Sequence, residues 1–252
     1  RLKVIKADSE TGQTVRGVMG FKIRNTQTNE ESEIYYTDEN GFLSLPNEVT
    51  YGNYELIEVI PPSGYVLNTT PVSFSIDGNT PEVIIRLSDK PEKGKISVLK
   101  RGEMFSSVEV SEDRYVPVFS EKGLKDAEFE VTAAEDIYTA DGTLRISKGA
   151  LADTLVTDES GEAESKELYP GKYFLREISA PDGFVLDTEV KELTVTAGIK
   201  KIEVKNERKK QEFKLKKELE TDQKFGIGFN GEILNIRFVL HALKLLCRNC
   251  FI

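Results

Sequence analysis

The sequence predicts an all-β chain of tandem β-sandwich domains, and two observations carry that expectation. Short runs that alternate apolar and polar residues are broken throughout by Gly, Pro, Asn and Asp turns, the pattern of a sandwich or barrel. The same ordered set of segments then occurs twice, roughly a hundred residues apart, as a duplicated domain would show.

The copies can be followed segment by segment. Leu2-Lys-Val-Ile-Lys6-Ala-Asp8 is answered by Ile96-Ser-Val-Leu-Lys100-Arg-Gly102. The turn Thr37-Asp-Glu-Asn-Gly41 is answered by Thr157-Asp-Glu-Ser-Gly161. Gly52-Asn-Tyr-Glu-Leu-Ile-Glu58, followed by Pro62-Ser-Gly-Tyr65, is answered by Gly171-Lys-Tyr-Phe-Leu-Arg-Glu177, followed by Pro181-Asp-Gly-Phe184. Val83-Ile-Ile-Arg-Leu-Ser-Asp89 is answered by Ile202-Glu-Val-Lys-Asn206. The expected domains are residues 1–91 and 92–208, joined through the polar, breaker-containing stretch Lys90-Pro-Glu-Lys-Gly-Lys95. The second copy is longer around Met104 to Val116 and from Asp136 to Ala152, where surface loops or an added hairpin are cheap to insert.

The chain has 252 residues, 38% hydrophobic and 31% charged, enough for two folded domains with cores of their own. A formal net charge of −9 leaves no sustained basic face to neutralise phosphates, which excludes nucleic acid as the expected partner. No apolar run reaches the length of a membrane span. The two cysteines, Cys247 and Cys250, fall at the far end, so neither domain contains a disulfide. The single histidine, His241, also lies outside both copies, which removes Ser-His and Cys-His catalysis from them. With no initiator Met and a strand pattern already running at Arg1, the chain reads as a fragment of a longer parent.

Parity places three polar residues of each copy on an inward face, because side chains alternate along a strand. Lys6 is in phase with Leu2 and Val4, and Lys100 with Ile96 and Val98. Glu58 is in phase with Tyr54 and Leu56, and Glu177 with Tyr173 and Leu175. Asp89 is in phase with Val83, Ile85 and Leu87, and Asn206 with Ile202 and Val204. Uncompensated burial of such a trio costs several kcal/mol. One reading is a hydrogen-bonded lysine–carboxylate cluster at the end of the sandwich. The other uses burial as chemistry: desolvation lowers a lysine pKa and raises that of a glutamate. A neutral amine can then attack the Asp or Asn carbonyl while the glutamate moves protons. Recurrence in both copies favours the second.

On these residues the chain resembles the Cna B-type, or SpaA-type pilin, domains of Gram-positive surface adhesins and pili. The resemblance covers roughly residues 1 to 206. Its most specific element is the E-box, here Tyr54-Glu-Leu-Ile-Glu58-Val-Ile-Pro-Pro-Ser-Gly-Tyr65 and Tyr173-Phe-Leu-Arg-Glu177-Ile-Ser-Ala-Pro-Asp-Gly-Phe184. The lysine and its acidic, Gly-containing turn match at Lys6-Ala-Asp-Ser-Glu-Thr-Gly12 and more loosely at Lys100-Arg-Gly-Glu103. The closing-strand acceptor matches at Asn206, where the first copy has Asp89, a residue the family's chemistry uses less often. The resemblance implies prealbumin-like (inverse Ig-like) sandwiches of about seven strands. It also implies Lys6–Asp89 and Lys100–Asn206 isopeptide bonds promoted by Glu58 and Glu177. No cofactor is implied. Its expected setting is a stalk, spacer or pilin subunit outside the cell, wall-attached in the full-length parent, with neighbouring repeats as partners.

Other signals are weaker. Asn68-Thr-Thr70 is a sequon that reads as a turn, and the Thr-Asp-Glu-Asn-Gly and Thr-Ala-Asp-Gly stretches read as hairpin turns rather than calcium loops. Cys247-Arg-Asn-Cys250 with His241 makes too thin a donor set for a metal site, so none is expected. Residues 209–252 begin like a third copy at Phe213-Lys-Leu-Lys-Lys217 and then lose the pattern. They are expected to be a truncated or frameshifted domain, poorly ordered. No sortase-type Leu-Pro-x-Thr-Gly signal is present. A rival function is an adhesin whose loops, above all the long insertion, bind a host extracellular-matrix protein or a glycan. A hydrolase using Glu58 or Glu177 is disfavoured, because a glycosidase needs paired carboxylates facing a cleft.

Overall fold

The computed structural model describes residues 2–40, 42–45, 49–79, 82–111 and 114–210. The expectations for His241, the two cysteines and most of the aberrant third copy fall outside these residues.

The first domain comprises β1 (Leu2–Asp8), β2 (Thr14–Val15), β3 (Gly20–Asn25), β4 (Tyr35–Tyr36), β5 (Phe42–Leu43), β6 (Gly52–Ile60), β7 (Val72–Ile76) and β8 (Val83–Asp89). One sheet is centred on β1. The short strands β2 and β5 pair antiparallel along one of its edges, and β8 runs parallel along the other. The facing sheet has the order β4-β3-β6-β7. Leu2, Val4, Leu43 and Ile85 from the first sheet meet Phe21, Ile23, Tyr54, Leu56 and Phe74 from the second. Full burial of each such side chain stabilises by roughly 1.5–3 kcal/mol before the entropy of ordering is set against it.

The second domain repeats this plan with β9 (Gly94–Ser111), β10 (Arg114–Gly123), β11 (Glu128–Ala133), β12 (Ile137–Tyr138), β13 (Leu144–Ile146), β14 (Leu151–Val156), β15 (Glu162–Glu164), β16 (Gly171–Ser179), β17 (Lys191–Val195) and β18 (Gly198–Asn206). Here β9 takes the place of β1, with β18 parallel along one edge and β15 antiparallel along the other. The facing sheet is β14-β11-β16-β17. Ile96, Val98 and Val204 pack against Phe129, Val131, Tyr173, Leu175 and Leu193.

Both insertions are hairpins. The first forms because β9 does not stop where β1 does: it continues past Gly102 to Ser111 and returns as β10. Phe105 and Phe119 meet edge to face across that ribbon, 6.0 Å between ring centroids. The second is the small β12–β13 pair.

The turns have local causes. Asp38 Oδ1 accepts hydrogen bonds from the backbone N–H of Asn40 and Phe42, and Asp158 Oδ1 from Ser160 and Glu162. Gly64 and Gly183 hold φ of +81° and +83°, which lets each Pro-x-Gly turn fold back under its glutamate-bearing strand.

Candidate functional site: two buried lysine clusters

Register brings the predicted residues together. In the parallel β1–β8 pair, Lys6 lies opposite Leu87, so Asp89 is two residues further on and on the same face. In the parallel β9–β18 pair, Lys100 lies opposite Val204, with Asn206 again two residues further on. The glutamates arrive from the facing sheets. Glu58 sits opposite Phe21 and Glu177 opposite Phe129. Immediately after each glutamate one extra residue, Val59 or Ile178, bulges out of the register. Bulges bend a strand and re-aim neighbouring side chains, and this pair repeats at the same place in both domains.

In the second domain, Lys100 Nζ contacts Glu177 Oε1 at 2.8 Å and donates a short hydrogen bond to Asn206 Oδ1. Asn206 Nδ2 donates to the same Glu177 oxygen at 2.9 Å. The amine, the amide and the carboxyl thus close a ring of contacts with no exposed lysine surface. Phe129 roofs it, its ring centroid 5.4 Å from the amine. Burial pushes the Lys100 amine below its ordinary pKa, against the pull of Glu177.

In the first domain, Lys6 Nζ lies 2.7 Å from Glu58 Oε1 and 2.7 Å from Asp89 Oδ1. The ring of the second domain is not closed here, because an aspartate side chain has no N–H to donate to the glutamate. Burial pushes the Glu58 carboxyl above its ordinary pKa, against the pull of Lys6.

Sequence reasoning missed what holds the glutamates. Glu58 Oε2 accepts from the backbone N–H of Asn68 at 3.1 Å, and Glu177 Oε2 from that of Asp187 at 2.7 Å. The second oxygen is therefore occupied, and Oε1 is the one turned to the lysine. The side chain of the sequon residue Asn68 accepts the backbone N–H of Thr70 at 3.1 Å, a local Asx turn, while its own N–H positions the glutamate. The signal available beforehand was the repeated Pro-x-Gly-aromatic turn just upstream of both residues.

A duplicated sandwich whose first and last strands pair in parallel beside a buried lysine defines a prealbumin-like module. Residues 1–91 and 119–210 match the SpaA prealbumin-like fold domain, and the chain belongs to that family. The second match begins after Lys100, and the long hairpin separates that lysine's strand from the rest of its domain. The β9–β18 register nevertheless puts Lys100 where β1–β8 puts Lys6. No curated protein matches the chain. Among solved structures it is similar to the Bacillus anthracis TIE protein, with 23% identity and a TM-score of 0.53, covering 82% of this chain and 33% of that one. It is also similar to a streptococcal ancillary pilin, with 22% identity and a TM-score of 0.33 over 83% of this chain and 62% of that one. A minor pilin of Streptococcus agalactiae shows 16% identity and a TM-score of 0.34 over 86% of this chain and 99% of that one. The chain thus spans a third of the first of these and under two thirds of the second.

Proposed function

We propose that this chain is a structural stalk or spacer module of a Gram-positive surface protein or pilus, and that each domain cross-links itself once through an amide, Lys6–Asp89 and Lys100–Asn206. The observation that carries the reading is the ring in the second domain, where one glutamate oxygen touches both the attacking amine and the departing amide nitrogen.

The chemistry follows from that contact. The neutral Lys100 amine adds to Asn206 Cγ, and its surplus proton passes to Glu177. The tetrahedral centre collapses as Glu177 returns a proton to the Asn206 nitrogen, which leaves as ammonia. One C–N bond forms, one breaks, and the glutamate is regenerated. In the first domain the same steps on Asp89 expel water, and the carbonyl is open to attack only while that carboxyl carries a proton. Each lysine is consumed, so this is a single event per domain and not turnover. The product amide replaces buried charge, which removes most of the desolvation cost.

Such a bond ties the first strand of a domain to its last. A pull on the two ends then passes through the amide, and the strands between are spared. Outside the cell, two domains without cysteines gain from it what a disulfide gives elsewhere, without sensitivity to reductant. Neighbouring domains are the partners this role requires.

The test is the intact mass of the full chain under denaturing conditions. The expected deficit is about 17 Da for the asparagine bond and about 18 Da for the aspartate bond, abolished one at a time by Glu177→Ala and Glu58→Ala. The full calculated mass would sink the reading and leave two sandwiches with buried ion clusters.

A further inference from the structure

The β12–β13 insertion of the second domain reaches the first domain. Arg145, on β13, extends its guanidinium to the turn that follows β1. Its Nη2 donates to Asp8 Oδ2 at 2.5 Å, and its Nη1 to Glu10 Oε2 at 3.1 Å. Its remaining donors are anchored at home, Nε on Thr139 Oγ1 at 2.8 Å and Nη1 also on Tyr169 Oη at 3.2 Å. Tyr169, another residue of the second domain, donates its hydroxyl to Glu10 Oε2 at 2.6 Å. Lys93, from the connecting segment, takes the other Glu10 oxygen at 2.7 Å. At the tip of the inserted hairpin, Asp141 Oδ2 accepts from Thr11 Oγ1 at 2.8 Å.

The receiving side is built to match. Asp8 is fully buried, and its Oδ1 is taken by the backbone N–H of Glu10 and Thr11. Tyr65 donates to Oδ2, the oxygen that also receives Arg145. A buried carboxylate needs a counter-charge, and the cation that pairs with Asp8, Arg145, comes from the other domain. A guanidinium fork that engages two carboxylates and a tyrosine also constrains direction, which a lone ammonium does not.

We infer that the inserted hairpin is an interdomain clasp: an interaction surface whose partner is the Asp8–Thr11 turn of the first domain, holding the two domains in one relative orientation. Tandem domains on a short linker move against each other by default unless their interface is extensive. The clasp removes that freedom and makes the pair one rigid segment of the stalk. It does not depend on the cross-links, which lie within each domain.

The experiment uses the full chain with Cys247→Ser and Cys250→Ser, spin-labelled at Gln27→Cys and Thr188→Cys, exposed positions in separate domains. Pulsed dipolar spectroscopy should give one narrow distance peak. Removing both charges together, Asp8→Asn with Arg145→Ala, leaves no buried ion unpaired, and the peak should roughly double in width as the domains regain the freedom usual for linked domains. Glu10→Gln with Thr11→Val, which keeps the buried pair, should broaden it less. Circular dichroism on the same samples reports whether each variant is folded. A broad distribution in the starting protein, or a peak that none of these changes widens in folded protein, would overturn the clasp.

Discussion

The two domains solve one packing problem in different ways. Two residues beyond the buried lysine, β1 ends in Asp8, whereas the equivalent position on β9 is Gly102. The aromatic residue closing the Pro-x-Gly turn differs in step: Tyr65 donates to Asp8, while Phe184 packs on Gly102. A Cβ at residue 102 would lie 2.6 Å from the Phe184 ring and 2.7 Å from Leu124, so any side chain there would have to push both aside. The first domain ends in a polar socket that needs a cation from its neighbour, and the second in an apolar seal that needs nothing. The same fold and the same lysine–glutamate contact tolerate either end, because the choice is made one side chain beyond the cluster.

The acceptors differ too, and the largest expected effect tests that difference. Glu177→Ala should abolish the cross-link in the second domain and lower its unfolding free energy by about 4–5 kcal/mol on the chain-entropy estimate for so long a loop. Glu58→Ala should cost the first domain a similar amount only if the aspartate reaction has run. Paired denaturant titrations read by domain-specific probes would show it, and equal losses would mean that Asp89 is as competent an acceptor as Asn206. Next in size, Asp89→Asn should speed bond formation in the first domain severalfold, followed as the appearance of an ammonia-sized mass deficit after refolding. An unchanged rate would place the bottleneck in domain assembly rather than in the acceptor.

A smaller effect tests the socket. Tyr65→Phe alone removes one donor from a buried carboxylate and should cost about 1–3 kcal/mol. Asp8→Gly together with Tyr65→Phe transplants the second domain's seal, and its cost should fall short of the sum of the single changes in a double-mutant cycle. Additive costs would break the pairing inferred from the two copies.

The smallest effect is acid sensitivity. Burial pushes Asp8 up, but the Glu10 N–H, the Tyr65 hydroxyl, the Thr11 N–H and Arg145 together hold it below its ordinary value. Glu10 is likewise pushed up by burial and held down more strongly by Lys93 and Tyr169. Carboxylates depressed in the folded state contribute stability above their ordinary range and lose it as pH falls through the lower folded values. The melting temperature of the first domain should therefore drop more steeply below about pH 4 than that of the Asp8→Gly, Tyr65→Phe variant. Parallel pH profiles would remove the socket from the acid response.

The fold and both clusters were legible in the sequence because strand alternation is a local rule. Lys6, Glu58 and Asp89 each fall in phase with neighbouring apolar residues, and the repeat states the rule twice. The family model and the sheets bear out the all-β, prealbumin-like expectation. What was not legible depends on sequence separation. Arg145 and Asp8 are 137 residues apart, and no local pattern links a hairpin tip to a turn in another domain. The backbone donors to Glu58 and Glu177 were hidden for another reason: a main-chain N–H leaves no mark on its own residue's identity, and only the repeated Pro-x-Gly-aromatic turn before each donor pointed to them. The socket and seal did leave one: Asp8 with Tyr65 against Gly102 with Phe184 is a matched difference between the copies.

Each cluster draws its lysine and acceptor from one sheet and its glutamate from the facing sheet. Two-thirds of the site can therefore assemble in a half-formed domain, but the proton carrier arrives only when the sheets close on a common core. Under the proposed chemistry the missing ammonia or water becomes a permanent record that closure took place. Molecules that never packed correctly stay heavier than those that did. A population carried through repeated unfolding would sort itself by mass into chains that had once been native and chains that had not.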